Sequence, residues 1–347
     1  MLREGRYKLL PYEAGRYQWD GRGSYTQWWY FDGEFESGHR VMTIMLPRLF
    51  GEVDDHGNGP VPGITLVIME PDRTNHHSHA YYPEQFDADP DRMKASFAND
   101  LVEYHDGRYH IRARQGEVGF DLEYSPTLPP WPPFPGRRGF MAPPLLLTLA
   151  PGKYFHYASF VPRGAVAGSL YLPSGEVEVR GEGYHEQGRT NAPFHGLFSY
   201  WYWTRFYMGD WTFIFPVARA PRRALNATMR ALLAYRGNEC AADLFDVTGL
   251  LLRHEVTEYQ ESERTGRSDV PRRAVFSARL PHFKLEVEMD LFHELEAFRF
   301  TPFGDTSTMQ PAWLQHIMNV KARGRWHGQP FELDGEGVFE TMLTGSK

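Results

Sequence analysis

Apolar and polar residues alternate with a period of two through much of the 347-residue chain. The alternation is clearest from Tyr109 to Arg114, from Phe120 to Tyr124 and from Lys284 to Met289. This pattern is typical of antiparallel strands with one solvated face. Shorter, nearly continuous apolar runs from Val41 to Leu46 and from Ile64 to Met69 also predict strands. We therefore expect an all-β protein.

Turn signals separate these runs at the spacing expected of β-sandwiches and barrels. They are HGNGP at 56–60, DGR at 106–108, PSGE at 173–176 and DGEG at 334–337. One segment, PRRALNATMRALLAYRGN at 221–238, departs from the strand pattern. Its apolar residues fall on one helical face, and Gly237 stands where a helix would end. We predict one main helix here, packed over a sheet or between domains.

A proline-rich segment, SPTLPPWPPFPGRRGFMAPP at 125–144, holds eight prolines. Proline cannot donate to a β-ladder, so this segment cannot pair inside a central sheet, and a stiff surface excursion is expected. Trp131, Phe134 and Phe140 lie within it. Linkers rarely carry three large aromatic residues, so two interpretations stay open: a plain linker, or a flap over an apolar cavity.

Composition narrows the possible partners. The net charge of −7 and the pI near 6.1 provide no general attraction to phosphate backbones, so nucleic acid is not expected. No run of about 18 apolar residues could span a bilayer, and the first residues lack the apolar core of a signal peptide. We expect a soluble, cytoplasmic protein. Aromatic residues make up 15% of the chain, which suits a β-rich core or an aromatic-lined cavity.

Metal and nucleotide sites have little support. Cys240 is the only cysteine, which excludes disulfide frameworks and Cys-cluster metal sites. His77 and His79 would share one side of a strand, but no third ligand is apparent nearby. The sequence contains no GxSxG elbow, dinucleotide-binding glycine motif or Walker loop. We therefore expect neither a metal nor an organic cofactor.

Residues able to move a proton crowd into GYHEQGRTN at 183–191, directly after an alternating run that ends at Arg180. If the strand continues, Tyr184 and Glu186 share one face while His185 points to the other. Whether this segment is a site or a charged turn depends on which face lies inward.

An inward Glu186 would keep its proton near neutral pH, because burial disfavours a carboxylate. It could then serve as a general acid, with Tyr184 beside it. The alternative is an ordinary ion pair with Arg189 or Arg205. Spacing alone does not decide between an acid and an ion pair.

Four motifs, in order, resemble the signature of the lipocalin-like carotenoid 1,2-hydratase (hydroxyneurosporene synthase) superfamily. They are QWWYFDG at 27–33, FHYASFVP at 155–162, GEGYHEQGRTN at 181–191 and YWYWTRFYMGDW at 200–211. The ending GQPFELDGEGVFE at 328–340 resembles the family's closing strand. That group also includes attachment-type lipocalin-like proteins, kievitone hydratase and the fungal Diels-Alderases of decalin biosynthesis.

The resemblance implies two consecutive antiparallel β domains, a β-sandwich over 1–196 and a lipocalin-like barrel over 197–347, with an apolar cavity at their junction. In the hydratases an Asp after a Tyr-x pair protonates a terminal prenyl double bond, and Glu186 matches that position. An assisting His is matched best by His156. Gln187 and Gly188 depart from the hydratase pattern, as does the reading His-Tyr-Ala at 156–158. These departures argue against strict carotenoid hydration.

Protonation of an alkene creates a cation, which aromatic faces stabilise by about 0.5–2 kcal/mol each. Trp29, Trp203 and Tyr184 are our candidates, whereas Trp28 should point to the face opposite Trp29. Arg205 and Asn191 complete the predicted substrate-binding set. The favoured function is a cofactor-free hydratase or cyclase acting on a hydrophobic prenyl or polyene substrate. The alternatives are a pericyclase or isomerase in the same cavity, and a non-catalytic carrier of a hydrophobic metabolite.

Overall fold

The computed structural model describes residues 15–18, 25–48, 61–133, 154–191, 197–222, 225–299 and 312–344, without the side chains of 297–299. Strands make up 72% of the structure and helix 2%. One 3₁₀ turn, Pro83–Gln85, is part of the helical structure in these ranges. The prediction of an all-β protein is confirmed.

The first sheet contains eleven antiparallel strands in the spatial order β4-β3-β2-β1-β11-β10-β9-β8-β7-β6-β5. Strands β1 and β11 are therefore central, although they lie far apart in the sequence. The bounds are β1 Thr26–Phe35, β2 Arg40–Leu46, β3 Gly63–Met69, β4 Thr74–Ala80, β5 Phe86–Ala88, β6 Lys94–Phe97, β7 Asp100–His105, β8 Arg108–Gln115, β9 Val118–Pro126, β10 Phe155–Leu172 and β11 Gly175–Thr190.

The second sheet contains nine antiparallel strands in the order β15-β14-β13-β12-β20-β19-β18-β17-β16. Its last strand, β20, lies between β12 and β19, so the predicted closing strand occupies the centre of this sheet. The bounds are β12 Tyr200–Met208, β13 Trp211–Arg219, β14 Thr228–Arg236, β15 Glu239–Asp246, β16 Leu252–Gln260, β17 Val270–Arg279, β18 Phe283–Arg299, β19 Ala312–Trp326 and β20 Gln329–Leu343.

The two sheets are antiparallel half-barrels, and each buries a hydrophobic core of its own. A third buried cluster contains side chains from both sheets. The chain passes from the first sheet to the second between Thr190 and Tyr200. The domain boundary between 196 and 197 falls inside this connection and stays a prediction.

The helix predicted within 221–238 is wrong. Residues Thr228–Arg236 form strand β14, which pairs with β13 and β15. Leu232 and Ala234 enter the core of the second sheet, while Ala231 and Leu233 enter the cluster between the sheets. Because both faces of β14 are buried, its apolar residues form a continuous run that also satisfies helical spacing.

Two of the predicted turns are confirmed. DGR and PSGE form the hairpins between β7 and β8 and between β10 and β11. HGNGP lies outside the described residues. The turn predicted at DGEG is wrong, because 334–337 lies within β20. At Gly337 a Cβ atom would lie 2.7 Å from the Arg205 carbonyl oxygen, so glycine here permits close approach of the neighbouring strand.

Candidate active site

Side chains of both sheets meet in an aromatic layer, here called the inter-sheet cluster. Alternation along the strands decides which residues enter it. On β12, Trp201 and Trp203 enter the cluster while Tyr202 packs into the core of the second sheet. Its aromatic members are Trp28, Tyr30, Trp131, Phe155, Tyr157, Tyr184, Phe198, Trp201, Trp203 and Trp313.

Glu186 lies within this cluster on the central strand β11, opposite Tyr30 on one side and Ser159 on the other. Only 2% of the residue is exposed. The Trp28 indole donates a hydrogen bond of 3.3 Å to Oε1, and the Tyr184 hydroxyl donates one of 2.7 Å to Oε2. As predicted from alternation, Tyr184 and Glu186 share a face, and that face lies inward.

Burial raises the pKa of Glu186 well above its ordinary value, and the nearby carboxyl of Glu340 raises it further. The Trp28 hydrogen bond lowers this pKa, but its effect is smaller than that of burial. Among the described contacts, Arg189 donates to His156 and Arg205 pairs with Asp32, so neither arginine forms the ion pair considered above. Burial without a cationic partner therefore favours the protonated form of Glu186.

Glu340 supplies a second buried carboxyl, from strand β20 of the other sheet. It lies opposite Trp203 on β12 and Gln315 on β19, with 3% exposure. Burial raises its pKa to about 7, opposed by hydrogen bonding from Trp313 and by the charge of Arg205. Our sequence reasoning missed this residue. The sequence feature that could have identified Glu340 is a single glutamate within the mainly apolar run VFETML.

Arg205 joins the two sheets through polar contacts. Its guanidinium forms an ion pair with Asp32 and donates a 3.0 Å hydrogen bond to the Tyr30 hydroxyl. The guanidinium also lies 4.4 Å from the ring centre of Tyr184, a cation–π distance. Gln315 of β19 donates to the same Tyr30 hydroxyl. Arg205 therefore positions Tyr30 and Tyr184 rather than neutralising Glu186.

Trp203, a predicted substrate-binding residue, lies in the cluster with its ring centre 6.4 Å from that of Tyr184 and 4.6 Å from that of Tyr157. The hydroxyls of Tyr157 and Tyr184 are 3.3 Å apart. A chain of polar groups thus runs from Tyr157 through Tyr184 to Glu186, surrounded by aromatic faces.

Trp28, and not Trp29, contacts Glu186. Trp29 points to the other face of β1, packs in the core of the first sheet and donates to the Gly15 carbonyl oxygen at 2.8 Å. Gly188 explains the position of Trp28, because a Cβ atom at Gly188 would lie 2.0 Å from the indole ring. We expected Trp29 to face the site and Trp28 to point away from it, and the structure shows the opposite arrangement.

The structure does not bring His156 and Asn191 to Glu186. Along β10, Phe155 and Tyr157 face the inter-sheet cluster, so alternation points His156 to the opposite face. There Arg189 donates to His156 at 3.0 Å, and burial together with this positive charge lowers the histidine pKa to about 3. Asn191 Oδ1 accepts a hydrogen bond from the Tyr154 amide at the end of β11.

The beginning of the proline-rich segment packs between the sheets. Trp131 is buried in the inter-sheet cluster, forms an isolated β-bridge with Ser159, and donates to Asp243 of β15 at 3.0 Å. Phe134, Phe140 and the rest of the segment to 144 lie outside the described residues. Ser125 and Pro126, which we expected outside any sheet, end strand β9 and pair with β10, and Trp131 packs between the two sheets. The described part is therefore not a plain exposed linker.

A cavity of about 50 Å³ adjoins the cluster on the far side of Tyr30. Its lining includes Asp32, Arg205 and Gln315, but neither Glu186 nor Glu340. This volume suits a few water molecules and is far below the roughly 300–1,000 Å³ of typical ligand sites.

Metal ligands are not gathered in the described part of the chain, where no three His, Cys, Asp or Glu side chains are placed to hold an ion. His77 and His79 lie on the edge strand β4, and the His79 ring packs 4.5 Å from that of Tyr81. Across the same described ranges, no helix has the length and hydropathy needed to cross a membrane.

Comparisons with known proteins place this arrangement in a structural group. No family model and no curated protein matches the chain. An AttH-like protein from Nitrosomonas europaea superposes with a TM-score of 0.67 at 15% identity, covering 98% of each chain. The two chains therefore share a fold.

Two further solved structures share this fold. Kievitone hydratase from Nectria haematococca has a TM-score of 0.57 at 13% identity, covering 92% of this chain and 89% of its own. CghA with Sch210972 has a TM-score of 0.60 at 11% identity, covering 93% and 89%. The resemblance stated from the four motifs is confirmed at the level of fold, and one of the structural neighbours is a hydratase.

Proposed function

We propose that the protein is a cofactor-free hydratase or cyclase that protonates an alkene of a hydrophobic prenyl or polyene substrate between the two sheets. The observation that carries this proposal is the position of the Glu186 carboxyl, which is buried among aromatic rings, contacted by an indole and a phenol, and raised in pKa by that burial. A kievitone hydratase with the same fold supports a hydration reaction.

Protonation of an isolated alkene needs an acid that is not levelled by water and a surrounding that does not trap the cation. Glu186 meets the first requirement because water is excluded from its carboxyl. Trp28, Trp203 and Tyr184 meet the second, since their rings lie in the same buried cluster and can stabilise positive charge by about 0.5–2 kcal/mol each. We keep Trp203 and Tyr184 as substrate-binding candidates and replace Trp29 with Trp28.

The test is turnover of acyclic prenyl alcohols, such as farnesol and geranylgeraniol, in deuterated water. We expect a product with deuterium at a new C–H bond, formed by the wild-type chain and lost in Glu186→Gln. That variant keeps the shape and hydrogen-bonding capacity of the side chain but has no transferable proton. Labelled product at the wild-type rate from Glu186→Gln would refute the proposal.

A pericyclase is the second candidate. Its support is the pair of buried carboxyls with raised pKa values, Glu186 and Glu340, which could polarise a substrate carbonyl by hydrogen bonding while the aromatic walls fold a polyene. A crystal structure of CghA with Sch210972 shares the fold. Turnover without deuterium at carbon would favour this candidate, and tight binding without any turnover would favour a carrier.

A further inference from the structure

Glu340 is a second carboxyl in the same dry cluster, and nothing in the proposed protonation step uses it. It comes from the second sheet, whereas Glu186 comes from the first. A buried carboxyl usually has a cation or several backbone amides to offset the loss of hydration. Glu340 instead has the indoles of Trp313 and Trp201, and it feels the charge of Arg205, which is already paired with Asp32.

Strand register brings the two carboxyls together. Tyr30 lies directly opposite Glu186 on the neighbouring strand, and Gln315 lies directly opposite Glu340. The Gln315 amide donates to the Tyr30 hydroxyl, which ties these two cross-strand pairs across the junction of the sheets. Opposed residues in an antiparallel pair have Cβ atoms only about 4.5–5.5 Å apart. The two glutamates therefore act on each other electrostatically through one shared, water-poor space.

We propose that Glu340 is the base of the reaction that Glu186 begins, and this inference rests on the proposed function. Glu186 gives its proton to an alkene carbon and becomes a carboxylate. Water adds to the resulting cation, and the Glu340 carboxylate takes a proton from that water to leave the alcohol. Transfer of this proton from Glu340 to Glu186 restores both groups. In a cyclisation, Glu340 would instead take a proton from carbon. Atoms and charge balance in both cases.

The groups around the pair suit this division of roles. The charge of Arg205 acts on Glu340 and favours its carboxylate form, whereas the described contacts of Glu186 include no arginine. The other titratable groups around the pair include Asp32, which is paired with Arg205, and the phenols Tyr30, Tyr157 and Tyr184. Burial raises the pKa of Tyr30 and Tyr184 and so favours their neutral forms. The surroundings thus favour a protonated Glu186 and, through the charge of Arg205, an ionised Glu340.

Infrared spectroscopy of carboxyl protonation tests the pairing without any substrate. In titrations of the intact chain we expect the Glu340→Gln variant to lower the midpoint of the Glu186 carboxyl, because removal of Glu340 removes the charge that opposes its ionisation. Glu296→Gln, which changes another buried glutamate of the second sheet, should leave that midpoint unchanged. An identical Glu186 midpoint in wild type and Glu340→Gln would overturn the proposal.

Deuterium exchange then separates the two roles. With farnesol in deuterated water, Glu340→Gln should still place deuterium on carbon in recovered substrate, because protonation by Glu186 is reversible, while net hydration falls at least about 10²-fold, as for a lost general base. Glu186→Gln should lose both exchange and product. Normal hydration by Glu340→Gln would refute the role of Glu340 alone, whereas absence of label with wild type would refute the proposed function.

Discussion

The two sheets meet in two very different ways. In the inter-sheet cluster, Glu186 is 2% exposed and contacts an indole and a phenol. At the other contact, Glu296 of β18 is 5% exposed and pairs with His76 of β4 at 3.0 Å and with Arg264 at 3.2 Å. The two carboxyls are almost equally buried, but only that of Glu296 contacts a cation.

This difference distinguishes a carboxyl with a structural role, Glu296, from the proposed catalytic acid, Glu186. Glu296 exchanges water for charged partners, so its burial contributes to docking of the sheets. Glu186 exchanges water for neutral hydrogen-bond donors, so a bound proton, rather than a neighbouring cation, offsets the negative charge of its carboxyl. The loss of an ion pair is the cost of having a transferable proton in a dry site.

The largest expected effect is on catalysis. Glu186→Gln should lower the rate with a prenyl substrate by about 10²–10⁴, the range for a lost general acid, with little change in ligand binding. Glu296→Gln should leave the rate unchanged and lower the free energy of unfolding by about 1.5–3 kcal/mol through lost charged hydrogen bonds. Rate measurements and urea unfolding of both variants check that the two substitutions have opposite effects on rate and on stability. A destabilised but active Glu186→Gln would contradict this prediction.

The arginines beside the two contacts offer a second comparison. Arg205→Gln should lower the free energy of unfolding by about 3–5 kcal/mol, since it leaves the Asp32 carboxylate without its buried cation. Arg264→Gln should cost less, because the Arg264 side chain is 40% exposed and His76 still contacts Glu296 when Arg264 is removed. Urea unfolding measures both. Equal costs would mean that Arg205 does not hold the sheets together.

Gly188 should tolerate a methyl group poorly. Gly188→Ala must displace the Trp28 indole, with an expected cost of about 1–3 kcal/mol and a lower rate, since Trp28 contacts Glu186. Gly335→Ala is the matched control, because its nearest contact is the flexible end of Met208 at 3.3 Å. Unfolding and turnover of the two variants should differ. Equal behaviour would show that the Trp28 position does not depend on Gly188.

Stability should also respond to pH. The folded-state pKa of Glu186 is raised above the ordinary 4.5, so folding takes up a proton between these two values. Stability is therefore lost as pH rises through this window, by about 1.4 kcal/mol per pH unit for one proton. The wild type should lose stability relative to Glu186→Gln as pH rises above the ordinary pKa of 4.5. Unfolding curves at several pH values check this, and a constant difference would contradict a raised pKa.

Tyr184→Phe should have the smallest effect of the set. It removes one hydrogen bond to Glu186 but leaves the acid and the aromatic ring in place. We expect a rate loss of about 3- to 10-fold, equivalent to roughly 0.5–1.5 kcal/mol. Turnover with the same prenyl substrate measures it. A loss as large as that of Glu186→Gln would instead make the phenol part of the proton transfer.

Period-two patterning was enough to predict the fold class and the face shared by Tyr184 and Glu186. It worked where polar residues marked the solvated face. It could not assign Trp28 and Trp29, because the run QWWYF has large aromatic residues on both faces. The helix prediction over β14 failed for the same reason: both faces of that strand are buried, so no polar alternation remains.

Long-range pairing accounts for the rest of what sequence reasoning missed. Glu340 lies in the quoted closing-strand motif, but its proximity to Glu186 depends on the junction of two sheets. His156 was assigned through the resemblance, whereas its parity along β10 points it away from the cluster. The face to which a strand residue points can be predicted from the local sequence, but a contact between residues of two different sheets cannot.

Neutron diffraction from crystals grown in deuterated buffer near neutral pH tests the central claim most directly. The account predicts a deuteron on the Glu186 carboxyl, with the Trp28 and Tyr184 contacts in place and no arginine in hydrogen-bonding distance of either oxygen. Two bare Glu186 oxygens, or a guanidinium facing them, would contradict it, because Glu186 would then be a second ion-paired carboxylate like Glu296.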